Sequence, residues 1–179
     1  MSLIKRILNV GCGDDTYGTH FVDKYPSGKN VKKCELDNEK LPFKDNYFDE
    51  VLSQNVLEHL TNVGFAIKEM HRVLKAGGIL KLTTDNASYM PFHVKNGAHM
   101  GWYDKSHNYE DKHFSLFTLS HIRNLFLNFN FKILKLEYTD ENYEYFLFKK
   151  TFASVVFYYL KRLLPQNFRY PRIRIVAMK

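Results

Sequence analysis

Gly11 and Gly13 follow directly on an apolar run, 5–10, and two acidic side chains, Asp23 and Asp37, close the next two, 19–22 and 31–36. Such spacing matters in an open α/β sheet, where ligands bind beyond the carboxyl ends of the strands. A glycine there lets a ligand come against the backbone. A carboxylate ending the second strand can accept from both hydroxyls of a ribose, and one ending the third can accept from an adenine amino group. The phosphate-binding version of the arrangement is not met. Residues 14–18 lack a third glycine at the dinucleotide spacing and the helix N-terminus that holds a pyrophosphate. The shape implied is an adenosine without phosphates. Taken singly, Asp23 also reads as a strand end and Asp37 as a turn residue with Asn38. Their coincidence with the glycine turn and with "LPFKDNYFD" favours a site.

Proton chemistry points further along the chain. His59 stands in "VLEHL" just past the run 48–53, and His107 and His113 lie in a long segment, 85–117, with Asp85 and Asp111 near them. Histidine is the side chain best placed to take a proton near neutral pH. His59 reads equally as a packing or hydrogen-bonding residue at a helix start, and His113, beside Phe114, as part of an aromatic core. The segment 85–117 is too long for an ordinary connection. Its aromatic and histidine side chains, Trp102, Tyr103 and Tyr109 among them, suit a lid over a sugar or another ring-bearing acceptor. Cys12 and Cys34 form neither a disulfide framework nor a zinc spacing, so a reducing cytoplasm is expected. Cys12 reads as a small packed residue.

These groups need a scaffold. At 179 residues the chain fits one domain, 1–179, with a core at 4–138, the lid at 85–117 and a C-terminal helix and last strand at 151–179. Strands are expected at 5–10, 19–22, 31–36, 48–53, 79–84, 131–138 and 172–178. Helices are expected at 63–74, ended by the glycines of "KAGG", after Thr118 as N-cap, and at 151–164. Strands alternating with helices give an α/β fold with a mainly parallel sheet. The first two crossovers are too short for helices, which strips one sheet face. The apolar helix 151–164 is the expected cover, in cis or across a homodimer, with peripheral membrane contact by its basic rim as the third use. No run is long enough to cross a bilayer. Of the net charge of +7, eight Lys and Arg fall between 149 and 179 with no acidic residue among them, which suits anionic lipid, nucleic acid or simple solvation.

The stretches "LNVGCG", "VD", "ELDNEKLPFKDNYFDEVLSQNVLEHL" and "AIKEMHRVLKAGGIL", with a weaker "DKHFSLFTLSHIRNLFLNFNF", occur in a familiar order over residues 7–133. Together they resemble class I S-adenosylmethionine-dependent methyltransferases of the type 11 kind, in the compact variety associated with glycan and lipopolysaccharide biosynthesis. The resemblance implies a Rossmann-like sheet, mostly parallel with an antiparallel last strand, S-adenosyl-L-methionine as cofactor and S-adenosyl-L-homocysteine as product. It implies that Gly11, Cys12 and Gly13 face the methionine part through their backbone, and that Asp23, with Lys24 beside it, holds the ribose. Asp37, flanked by Leu36 and Asn38, would meet the adenine, and Ser53, Gln54 and Asn55 would floor the sulfonium. Asn9 stands where many relatives have an acidic residue. Some relatives carry Glu-x-x-Glu-His for magnesium; here the window reads Asn55-Val56-Leu57-Glu58-His59, and with its first carboxylate missing no metal is expected. The expected reaction is O-methylation of a small molecule or a glycan or lipid-linked sugar. An RNA methyltransferase and a non-catalytic cofactor binder are the alternatives. Nucleic acid is not expected as a partner, because Ser53-Gln54-Asn55-Val56 is not the Asn/Asp-Pro-Pro-aromatic pattern of base amino-group methylation.

Overall fold

The computed structural model describes residues 5–89, 113–140 and 160–179. In chain order the strands are β1 (Ile7–Val10), β2 (His20–Asp23), β3 (Val31–Lys33), β4 (Phe48–Gln54), β5 (Leu74–Asp85), β6 (Lys132–Thr139) and β7 (Arg172–Met178). The helices are α1 (Val63–Val73), α2 (Leu119–Asn128) and the single turn α3 (Gln166–Arg169), with 3-10 turns at Leu57–His59 and Lys161–Leu163. The seven strands form one sheet in the order β3-β2-β1-β4-β5-β7-β6. β1, β2, β3, β4 and β5 pair in parallel, whereas β7 runs antiparallel to both β5 and β6. The order of the parallel strands reverses at β1 and β4, and a switch of this kind leaves a crevice at the strand ends.

Period-two alternation splits the sheet into two unlike faces. By register Leu8, Val51, Leu80 and Ala177 share one face, and they fall in one buried cluster with Ile67 and Met70 of α1 and Ile122 and Phe126 of α2. Thr118 caps α2 by accepting from the His121 amide, while His121 reaches back to Thr118. The first and second crossovers contain no helix, as the sequence predicts. The face they leave open is not the apolar surface expected. Glu50 lies at its centre, 1% exposed, paired with Lys5 and with Lys81 at 2.8 Å and accepting from the Tyr17 hydroxyl at 3.0 Å. Glu137 pairs there with Lys135 at 2.8 Å and Arg174 at 3.2 Å. The stems of these long side chains cover apolar surface while their heads stay paired, so this face demands less apolar cover than the sequence reading supposes. Burial alone would raise the Glu50 carboxyl, but hydrogen bonds from Lys5, Lys81 and Tyr17 hold it below its ordinary value.

Three boundaries differ from expectation. β3 stops at Lys33 and not at 36, because Glu39 accepts the Glu35 amide at 2.7 Å and draws 35–39 into a turn. α1 ends at Val73, and "KAGG" belongs to β5: Leu74 is already extended, and a register shift between Phe48 and Glu50 absorbs the extra residues at Gly77, whose φ is +75°. Most of the helix expected at 151–164 lies outside the described residues; its end is the 3-10 turn Lys161–Leu163. Among the described residues no helix is long and apolar enough to cross a membrane.

Candidate functional site

The glycine turn leaves β1 at the switch point. Gly11 and Cys12 both donate their amides to the Val22 carbonyl, at 2.9 and 3.3 Å, which folds the turn over β2. Gly11 has φ +65°, and a Cβ there would collide with the Val56 side chain, so glycine is required on two counts. Asp23 then ties the two loops together: its carboxylate accepts from the Gly13 amide at 2.9 Å and from the Tyr25 amide at 2.8 Å. A carboxylate offers about four acceptor sites, so roughly two remain for a ligand diol. The pocket beyond has a volume of about 290 Å³, and Gly11, Asp23, Leu36, Asn55, His59 and Phe114 are among its walls. That is at the small end for a small-molecule site, roughly 300–1,000 Å³. Lys24 also lines it, held by Glu35 at 2.7 Å, a pairing that raises the Lys24 ammonium.

The remaining expected cofactor residues stand behind or beside this wall. Asn9 is buried under the turn, its amide donating to Asp15 at 3.0 Å and to the Tyr17 carbonyl at 3.1 Å. Cys12 is buried, and burial first, then Asp23, pushes its thiol up. Gly13 reaches the site through its hold on Asp23. Asp37 accepts from the amides of Thr61 and Asn62, both at 2.8 Å, and so pins the start of α1 beside the 35–39 turn. The Asn38 amide is turned to the Glu35 carbonyl at 3.2 Å. The Ser53 hydroxyl is fully buried without a hydrogen-bond partner, on the helix-covered face, and Gln54 is half-buried at the end of β4. Asn55, at φ +53°, donates its amide to the Thr83 carbonyl at 2.9 Å and accepts from the Thr83 hydroxyl at 3.3 Å.

His107 lies outside the described residues. The other two histidines meet: the rings of His59 and His113 stand edge to face at 4.6 Å. His113 Nδ1 is 3.4 Å from the Asp85 carboxylate, and Asp85 is 3.9 Å from Arg172 Nε. Sequence reading gave no role to Glu58, which is 1% exposed and accepts from the Thr84 hydroxyl at 2.8 Å. Burial, aided by Asp85 and opposed by its own amide, Thr84 and Arg172, pushes the Glu58 carboxyl up to about 8. A carboxylate set between Leu57 and Leu60 in "LEHL" was the available signal. No group of His, Cys, Asp and Glu that could hold a metal ion occurs among the described residues.

Residues 15–82 match the family described as a methyltransferase domain. Over 52 residues the chain is 40% identical to a ubiquinone/menaquinone biosynthesis C-methyltransferase of Coxiella burnetii, covering 29% of this chain and 21% of that protein. The protein of the same description from Neisseria meningitidis is 47% identical over 55 residues, 31% of this chain and 22% of its own length. The matched stretch thus spans about a fifth of these relatives. Among solved structures, an S-adenosylmethionine-dependent methyltransferase from Archaeoglobus fulgidus superposes with a TM-score of 0.65 at 17% identity, covering 98% of this chain and 86% of that one. One from Thermotoga maritima gives 0.64 at 17% identity, with 98% and 82% covered. The cyclase SpnF gives 0.59 at 18% identity, with 98% and 74% covered. At such identities the likeness shows the fold alone, and a cyclase among the neighbours shows that this fold does not fix a reaction.

Proposed function

We propose that this chain, which carries a methyltransferase domain at residues 15–82, transfers a methyl group from S-adenosyl-L-methionine to a hydroxyl of a small molecule, glycan or lipid-linked sugar. The observation that carries the reading is the pocket itself: Asp23, latched to the Gly13 amide, stands on one wall and His59 on another. The residues present fit an adenosine. Gly11 lines the pocket with Val56 packed where its side chain would be, Asp23 retains acceptor capacity for the ribose hydroxyls, and Leu36 and Leu60 give apolar surface. Asp14, Asp15 and Asp23 gather at the turn; after burial their fields add to the rise of the Cys12 thiol, and the same fields would favour a sulfonium cation.

When bound, the cofactor supplies a methyl carbon already activated for displacement. The protein's share is then chiefly alignment, worth about 7 to 11 kcal/mol at best. His59, which lines the pocket, accepts in this reading the proton that the hydroxyl gives up as its oxygen takes the methyl. The cysteines are poor rivals as nucleophiles, since burial raises both and takes Cys34 to about 11.

Carbon methylation of an aromatic ring is the second reading, favoured by the two relatives described as C-methyltransferases. It too requires a proton acceptor. Incubating the full chain with methyl-labelled cofactor and a panel of nucleotide sugars, lipid-linked glycans, demethylated quinones and RNA separates the readings. Label on a sugar oxygen is expected. Label on a ring carbon or on RNA would overturn O-methylation, and cofactor binding without label in any of them would favour a non-catalytic binder.

A further inference from the structure

Two carboxyl groups and a second imidazole gather around His59, which stands at the edge of the pocket. His59 lines the cavity, whereas the side chains of His113 and Asp85 are only 10% and 13% exposed. Both are set back from the cavity, and the contacts join Asp85 to His59 through His113. The backbone arranges this contact: the Glu58 carbonyl accepts from the amides of Phe114 and Ser115, at 2.7 and 3.2 Å, and the Ser115 hydroxyl donates to the Leu60 carbonyl at 2.8 Å. The residue preceding His59 thus ties down the segment that carries His113.

We propose that Asp85 and Glu58 are positioning residues for a proton-accepting histidine pair: Asp85 orients His113, His113 buttresses His59, and the Glu58 carbonyl fastens the 113–115 segment against both. The charges within the group are consistent with one another. Glu58 faces Thr84 and Asp85 of β5 and Arg172 of β7. Arg172 reaches the group from β7, and burial first, then the neighbouring Asp85, raises the Glu58 carboxyl. Glu58 is thus the acid of the group, and the Asp85 carboxyl is the one that faces the His113 ring, at 3.4 Å. The chemical purpose of the group rests on the methyl-transfer reading. There the acceptor O–H proton passes to His59, the new C–O bond forms, and the electrons of the breaking C–S bond stay on sulfur.

The test is a titration of the imidazole nitrogens of 15N-histidine-labelled full chain, free and with S-adenosylhomocysteine as probe. Replacing Asp85→Asn removes an anion beside His113, so the His113 midpoint is expected to fall by about 1 unit, with a smaller change at His59. Asp85→Glu is expected to restore most of it. Should Asp85→Asn fail to fold, His113→Asn answers at His59, whose midpoint and tautomer must move when its neighbour is lost. Histidine signals indifferent to both substitutions would overturn the proposal. Absence of S-adenosylhomocysteine binding to the wild-type chain would instead remove the methyl-transfer reading, while the titration of the free protein would still decide the arrangement.

Discussion

Burial raises the Glu58 carboxyl to about 8, with Asp85 adding to the shift and Thr84 and Arg172 opposing it. In the unfolded chain the same group loses its proton near its ordinary value of 4.5. Between these two values the folded state binds a proton that the unfolded state has released. Stability must therefore fall as pH rises through that window and level off above it. Glu58→Gln removes the titration while keeping an acceptor for Thr84. The melting temperature of the wild type, taken relative to this variant, is expected to drop between pH 5 and pH 8; parallel curves would mean that Glu58 is ionised in the fold. Such a residue is hard to find in a sequence, because its burial depends on β5 and β7, strands distant along the chain. Gly11 and Asp23 were legible because strand ends and backbone approach are local properties. Asp37 was visible as an acid, but its hold on Thr61 and Asn62 spans 24 and 25 residues and carries no local signal.

At the scale of elements, α1 acts as a clasp on the loop before β4. Arg72 donates to the carbonyls of Phe43 and Leu41, at 2.9 and 3.0 Å, and pairs with Glu69 and Asp45, each at 2.6 Å. Glu69, 4% exposed, also accepts from the Leu41 amide at 2.9 Å. The two best-marked stretches of the sequence, "LPFKD" and "EMHRVL", are thus one structural unit. Replacing Arg72→Met would leave Glu69 buried without its cation and is expected to cost about 3 kcal/mol, the low end for breaking a buried pair from one side. Urea denaturation reads this directly, and a loss under about 0.5 kcal/mol, the scale of an ordinary surface change, would contradict the clasp. The apolar spacing of α1 and the Thr118 cap of α2 were legible, since both follow from helix geometry alone. The end of α1 was not: glycines in "KAGG" suggest a helix stop, yet tertiary pairing of Leu74 with Phe48 makes them part of a bulged strand.

Across the whole molecule, alternation of strands and helices foretold the parallel order, and the family resemblance foretold the antiparallel return of β7. The short first crossovers foretold that no helix lies between β1 and β2 or between β2 and β3. The polar character of the Glu50 face was also written in the chain, in "FDEVLSQ", "ILKLTT" and "RIRIVAM", where Glu50, Lys81 and Arg174 occupy alternate places. Treating each run as uniformly apolar hid that period of two. What the molecule presents is a sheet with one helix-packed face, one ion-paired face and a pocket at the switch point built around Asp23. Isothermal calorimetry of S-adenosylhomocysteine binding to the full chain and to Asp23→Ala tests that centre most directly. The account predicts measurable binding by the wild type and a loss of about 1.5 to 3 kcal/mol, roughly 10- to 150-fold in affinity, in a variant that still melts cooperatively. Equal affinity in the two proteins, or no binding by the wild type, would contradict it.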